Sequence, residues 1–397
     1  MYKPIWITPL LLLMNAAVVH AELKPISDEA MSEVTGQAFV SVDRQQYPSA
    51  DNNTSYTRVN LGMDIEIQTN ADTFELGRYE RDGEVEGSSD VLINNFSLGY
   101  IYDSSYYERN PDAARQLKAD GSAYQDGEIV PFKISNPYLE FAYDESTEEI
   151  VGFRFGFGES QGILSGAIQQ LTGNINIDIL DRGEGLSAAD SNGNLFDQMV
   201  GFLTPVLAGS SPLKTKARLV QGNPDRDNYG GLDPVRAEYI GVPNGEKFVL
   251  EDVNYLVAGL IDIISPTLSS ELYTENCSLF GGCDVVVVAQ QCEVLGIQAC
   301  FDLGIYNSMP VGQIEDVNGK RTITGPSDGA FISFQTKDLE YLADVAKSDP
   351  SPEDFIKATA GAFFNIPNGA VTVNLEEALT GIEGQRREYI DRGVGLF

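Results

Sequence analysis

Two residue types are almost missing from this chain. Histidine and tryptophan occur once each in 397 residues, as His20 and Trp6. Both fall in an N-terminal stretch with the pattern of a secretory signal. Lys3 gives a basic start, residues 7–14 are apolar with four consecutive leucines at 10–13, and Val19-His20-Ala21 puts compact residues at the cleavage positions. Removal of residues 1–21 as a signal peptide would start the chain at Glu22 and leave it without an imidazole. That absence excludes Ser-His-Asp and Cys-His catalysis, which need a group that accepts and returns a proton near neutral pH. It also removes the common nitrogen ligand of zinc, copper and iron sites. Pro9 and Asn15 interrupt the apolar stretch, which is shorter than the ~20 residues a membrane-crossing helix needs. The expectation is an exported protein of the periplasm, outer membrane or cell surface, with no transmembrane helix after signal removal.

Basic residues are scarce as well: 26 Lys and Arg face 59 Asp and Glu, for a formal net charge of −33. Such an excess repels nucleic-acid phosphates and anionic headgroups, so nucleic acid is not an expected partner. With 42% hydrophobic and 10% aromatic residues the chain is globular, not disordered. Paired carboxylates remain a route to catalysis, but 59 acids bring some pairs together by chance. The composition therefore points away from an enzyme.

The four cysteines lie in one window, at Cys277, Cys283, Cys292 and Cys300. An even, clustered set in an exported chain reads as two disulfides, and the spacing lacks the paired CxxC pattern of structural zinc. Three pairings are open. The Gly281-Gly282 turn favours Cys277 with Cys283, leaving Cys292 with Cys300.

After the expected cleavage site, residues 26–38 read Ile-Ser-Asp-Glu-Ala-Met-Ser-Glu-Val-Thr-Gly-Gln-Ala. Ser27 suits a helix N-cap, Asp28 and Glu29 suit its positive end, and Gly36 suits its termination. This stretch resembles the N-terminal signature LSDEELSEVTGQA of a group of exported proteobacterial proteins, some labelled as pilus-system or surface components. The resemblance implies export and a surface role.

Next comes period-2 alternation over 59–67. Val59, Leu61, Met63, Ile65 and Ile67 share one face, and polar residues hold the other, as a half-buried antiparallel strand requires. Further strands are predicted at 74–79, 91–102, 132–143, 150–157 and 174–180, separated by Asn and Gly turns. Helices are predicted at 195–207 and 255–264, apolar enough for a core position, and as amphipathic segments at 339–347 and 352–363. The fold expected is mainly β with a few helices: an antiparallel meander forming a sandwich or an elongated open groove, with an α+β C-terminal lobe. A β-rich lobe over 22–220 and a cysteine-bearing lobe over 234–397 would meet at the polar loop 221–233.

Four local patterns bear on chemistry. Gly158-Glu159-Ser160-Gln161-Gly162 matches a nucleophile elbow, but with no histidine to activate Ser160 the expected structure is a Gly-rich turn. Gly156, Gly158 and Gly162 miss the dinucleotide-loop spacing. Asp190, Asn192, Asn194 and Asp197 form a D-x-N-G-N-x-x-D loop suited to calcium, which takes oxygen ligands, and Asp225, Asp227, Asn228 and Asp233 crowd a second Gly-rich loop. Phe397 matches the terminal aromatic of outer-membrane barrels, yet Gly395, Gly393 and Asp391 break the alternation a lipid-facing strand needs.

These readings converge on a non-catalytic exported protein with a structural, adhesive or assembly role, working with other envelope or surface proteins. The alternative is an envelope-associated binder of lipid or another hydrophobic ligand. No cofactor is implied, calcium aside.

Overall fold

The computed structural model describes residues 40–47, 53–81, 86–188, 208–264, 271–278 and 281–388. The expected signal at 1–21, the helices at 27–38 and 195–207, the calcium loop with Asp190, Asn192, Asn194 and Asp197, and Phe397 lie outside these residues.

The fold is mainly β and is organised by one large mixed sheet. Its first strands are Val40–Gln45 (β1), Thr54–Leu61 (β2), Asp64–Ile67 (β3), Thr69–Arg78 (β4) and Ser89–Leu98 (β5). The alternating run at 59–67 is thus split in two. Both halves pair antiparallel with Phe132–Asp144 (β6), but between them Asn136 adopts a left-handed conformation (φ 49°) and its N–H donates to the Met63 carbonyl. The extra residues bulge there while the alternation continues.

Glu149–Leu171 (β7) is a 23-residue strand and the organising element. One edge pairs with β6 over Glu149–Gln161 and with β5 over Leu164–Leu171; the other pairs with Phe331–Gln335 (β14) over Gly152–Gly156. The turn expected at 158–162 is absent, because that segment is the interior of β7. Its glycines serve close approach instead: at Gly162 (φ 144°) a Cβ would lie 2.8 Å from Phe132 Cδ2.

The sheet continues through Gly173–Arg182 (β8), Pro212–Val220 (β9), Tyr239–Gly241 (β10), Lys247–Val253 (β11), Leu272–Glu275 (β12) and Cys283–Val288 (β13). The 221–233 segment connects β9 to β10, which pair with each other antiparallel, so strands before and after it share one sheet. Leu339–Leu342 (β15) and Phe355–Ala358 (β16) pair outside the main sheet, and Gly361–Val373 (β17) returns beside β14. β17 also runs parallel to β8, so the sheet is not a simple antiparallel meander.

The helices expected at 339–347 and 352–363 are absent. Those segments form β15, one turn of 3-10 helix at Pro352–Asp354, β16 and the start of β17. Four-residue apolar runs fit either period, and pairing of Leu339 with Ala358 and Tyr341 with Ile356 decides for strand. Three short helices are present among the described residues: Ser104–Arg109 (α1), Tyr255–Ile264 (α2) and Leu375–Thr380 (α3). The core position expected for α2 holds only in part, since Ala258 is buried but Leu256 is 78% exposed. Cys277 is bonded to Cys283 and Cys292 to Cys300, fixing the loops around β13. No helix among the described residues is long and apolar enough to cross a membrane.

Candidate functional site

Residues directly opposite each other in an antiparallel ladder project from the same face. The registers of β1, β2, β6, β7, β14 and β17 therefore define two rows running across the sheet, one on each face. The first is Asp43, Arg58, Glu140, Arg154, Ser333 and Phe363; the second is Val42, Val59, Leu139, Phe155, Ile332 and Phe364.

In the first row charge alternates in sign from Asp43 to Arg154. Arg58 Nε donates to Glu140 Oε2 at 2.8 Å, and Arg154 Nε and Nη2 donate to Glu140 Oε1 at 3.0 and 2.6 Å. The remaining donors are held by Tyr47 Oη at 3.1 Å and the Val345 carbonyl at 3.2 Å for Arg58, and by the Leu342 carbonyl at 2.7 Å for Arg154. The Arg154 guanidinium also lies 5.1, 4.9 and 4.8 Å from the ring centres of Tyr138, Phe331 and Tyr341. Burial pushes the Tyr138 hydroxyl up to about 12, against the pull of Arg154.

Glycine makes this enclosure possible. Gly152 and Gly156 flank Arg154 on its own face, two residues to either side. A Cβ on Gly152 would lie 2.5 Å from Tyr341 Oη, and one on Gly156 would overlap the Tyr138 ring. These two glycines and the arginine between them form a slot that the tyrosines close. The buried triad leaves no open approach for a reacting molecule. Its chemistry is the countercharging of two cations by one carboxylate, with the guanidiniums also tying down β15 and the Val345 carbonyl after it on this face.

The rows emerge from the protein at β1. All six of its residues are exposed, Val40 at 49% and Val42 at 63%, and among the described residues its one strand partner is β2. Asp43 accepts a hydrogen bond from Asn60 Nδ2 at 2.6 Å and makes no ion pair among the described residues; Arg44 is paired with Glu145 at 2.6 Å. Folded proteins guard such edges with charged side chains, proline, a bulge or a covering segment. β1, Val-Ser-Val-Asp-Arg-Gln, has no proline, lysine or bulge, and its charges are Asp43 and Arg44.

A second feature lies beside the apolar row. Tyr79, Ile150, Phe153, Phe334, Gly361 and Ala362 line an open groove of about 430 Å³, with Ile150 63% exposed. The Asp90 carboxylate anchors the strands that frame it, accepting from Arg236 Nε at 3.0 Å, Arg81 Nη2 at 3.0 Å and the Ala362 N–H at 2.8 Å. A separate cavity of about 40 Å³ sits between the sheet and α3, lined by Ile177, Ile179, Ala217, Phe248 and Leu375. It lies well below the ~300–1,000 Å³ of small-molecule sites.

Ser160 is buried within β7, opposite Ser327 in register, with the two hydroxyl oxygens 3.4 Å apart. In the second acidic loop, Asp233 accepts from Gln221 Nε2 at 3.1 Å and Asn228 Nδ2 donates to the Leu232 carbonyl at 3.4 Å. Among the described residues no group of three or more His, Cys, Asp or Glu is placed to hold a metal ion. The triad and the β1 edge escaped sequence reasoning. Their one sequence signal is a charge on strand faces that also carry large aromatics, at Arg154 most clearly.

No family model, curated protein or solved structure matches this chain.

Proposed function

We propose that this protein is a non-catalytic, exported assembly component of the cell envelope or surface that joins other envelope proteins through the β1 edge. The observation that carries the reading is the exposed strand β1, with β2 as its one strand partner among the described residues, at which a charged row and an apolar row both end. Two disulfide-bonded pairs are compatible with an exported protein. The heavy acidity keeps a chain with exposed strand surface soluble. The test is a photo-crosslinking residue at Val42 in cells followed by fractionation. A crosslink to a second envelope protein is expected. Recovery of the chain from the cytoplasm, or absence of any Val42 crosslink in envelope fractions, overturns the reading.

A second reading, an envelope-associated binder of lipid or another hydrophobe, is favoured by the 430 Å³ apolar groove, a size within the ~300–1,000 Å³ range of small-molecule sites. Native mass spectrometry of the purified protein separates the two. Stoichiometric fatty acid or hydrocarbon would replace the assembly reading with this one.

A further inference from the structure

We infer that β1 accepts an extended, basic strand from a partner chain, with a Lys or Arg opposite Asp43 and an apolar side chain opposite Val42. The inference rests on the assembly reading and adds the partner's chemistry to it.

A strand added to the side of β1 that has no strand partner among the described residues extends both rows by one position. On one face the sequence of charges is negative, positive, negative, positive from Asp43 through Arg58 and Glu140 to Arg154. The next position beyond Asp43 continues that alternation only with a cation. Arg58 does not already serve Asp43, because its guanidinium is turned to Glu140, Tyr47 and the Val345 carbonyl. On the other face Val42 ends a row of Val59, Leu139, Phe155 and Ile332, and an apolar residue opposite it removes the exposed valine from water. The required pattern is alternating basic and apolar residues, the two-residue period of an ordinary strand. The formal charge of −33 draws such a segment toward the protein from a distance.

A second copy of the chain does not meet both demands. Antiparallel pairing of β1 with itself can set Val42 opposite Val42 of the copy, but Asp43 then faces Ser41. Moving the register so that Asp43 faces Arg44 leaves Val42 opposite Gln45. Either arrangement also brings together two chains of the same large negative charge.

The experiment uses the purified full chain and three fluorescent synthetic peptides of about eight residues. One alternates lysine and valine, one has the same lysines with two central valines replaced by proline, and one alternates glutamate and valine. Fluorescence anisotropy should detect binding of the lysine–valine peptide, slow amide exchange across Val40–Gln45 on binding, and no binding of the other two. Asp43→Lys, on an exposed strand whose folding is checked by an unchanged melting curve, should weaken that binding roughly fivefold. Equal binding of the proline peptide would show general charge attraction and overturn the inference. So would an Asp43→Lys variant that binds as the parent does, or a homodimer abolished by Val42→Pro. A Val42 crosslink in cells that persists while the lysine–valine peptide ignores β1 removes the basic-strand inference and leaves the assembly reading standing. Loss of the crosslink removes both.

Discussion

Arg154 gives two hydrogen bonds to one carboxylate oxygen of Glu140, while Arg58 takes the other oxygen. One buried anion thus holds two buried cations from different strands. Removing it leaves both guanidiniums in a medium that penalises unpaired charge. Glu140→Gln should lower the unfolding free energy by about 3–5 kcal/mol in urea titration. The combined Arg58→Met, Glu140→Leu, Arg154→Met variant should lose less than the single change, because no charge is then stranded. A Glu140→Gln protein as stable as the parent would refute this account.

The slot beside Arg154 predicts an effect from one methyl group. Gly156→Ala forces its Cβ into the Tyr138 ring and should destabilise by about 1–3 kcal/mol. The cost should shrink in a Tyr138→Ala background, giving a coupling between the two positions in a double-mutant cycle. Additive effects would mean that the glycine has another role.

Acid sensitivity follows from two carboxylates. The Lys337 ammonium, with Ser146, holds Asp144 well below the usual carboxylate range, and Lys347 with Ser351 pulls Asp354 down to about 2. The unfolded chain binds these protons more readily than the native one. Their stabilisation is therefore complete above the ordinary carboxylate pKa, near about 4, and is lost as pH falls toward 2 and below. Melting temperatures measured from pH 5 to pH 2 should fall less steeply in a Lys337→Met, Lys347→Met variant than in the parent. Parallel curves would contradict the pairing.

Cys292 and Cys300 close a short loop across a sequence separation of 8. Replacing both by serine should cost about 2–3 kcal/mol through the freedom returned to the unfolded chain. Mass analysis without reductant should find no alkylatable thiol in the parent. Four alkylated cysteines in the purified protein would remove both disulfides from the native state.

Ser160→Ala should leave any hydrolytic background of the purified protein unchanged, since the hydroxyl is buried in β7 with Ser327 as its neighbour. An ester-hydrolysis activity that disappears with this substitution would make the protein an enzyme.

Strands with one face more buried than the other announced themselves in the sequence, and the expected runs at 132–143 and 150–157 lie within β6 and β7. Alternation carries that information locally. It does not say which strand lies beside which, so the parallel pairing of β8 with β17 and the return of β14 to β7 were not legible. Glycine was the hardest residue to interpret. A Gly-x-Arg-x-Gly run looks the same whether the backbone turns or a neighbouring ring needs the space, and at Gly152 and Gly156 the second holds. The candidate edge was hidden for a related reason: the rows ending at Val42 and Asp43 exist only through the registers of strands drawn from both ends of the chain.

The hydroxyl of Tyr56 donates to the Glu340 carbonyl, across a sequence separation of 284. At synthesis rates of roughly 5–20 residues per second, the β2 side of that contact waits on the order of 15–60 s for its partner to be made. During that interval β2, β6 and β7 can bring Arg58, Glu140 and Arg154 together, but the Phe331 and Tyr341 rings that cover Arg154 are not yet made. Long-range pairing of this kind also slows folding once the chain is whole. The Arg154 guanidinium is therefore the last part of the triad to be covered, and the second half of the chain closes a charge cluster that the first half has already laid down.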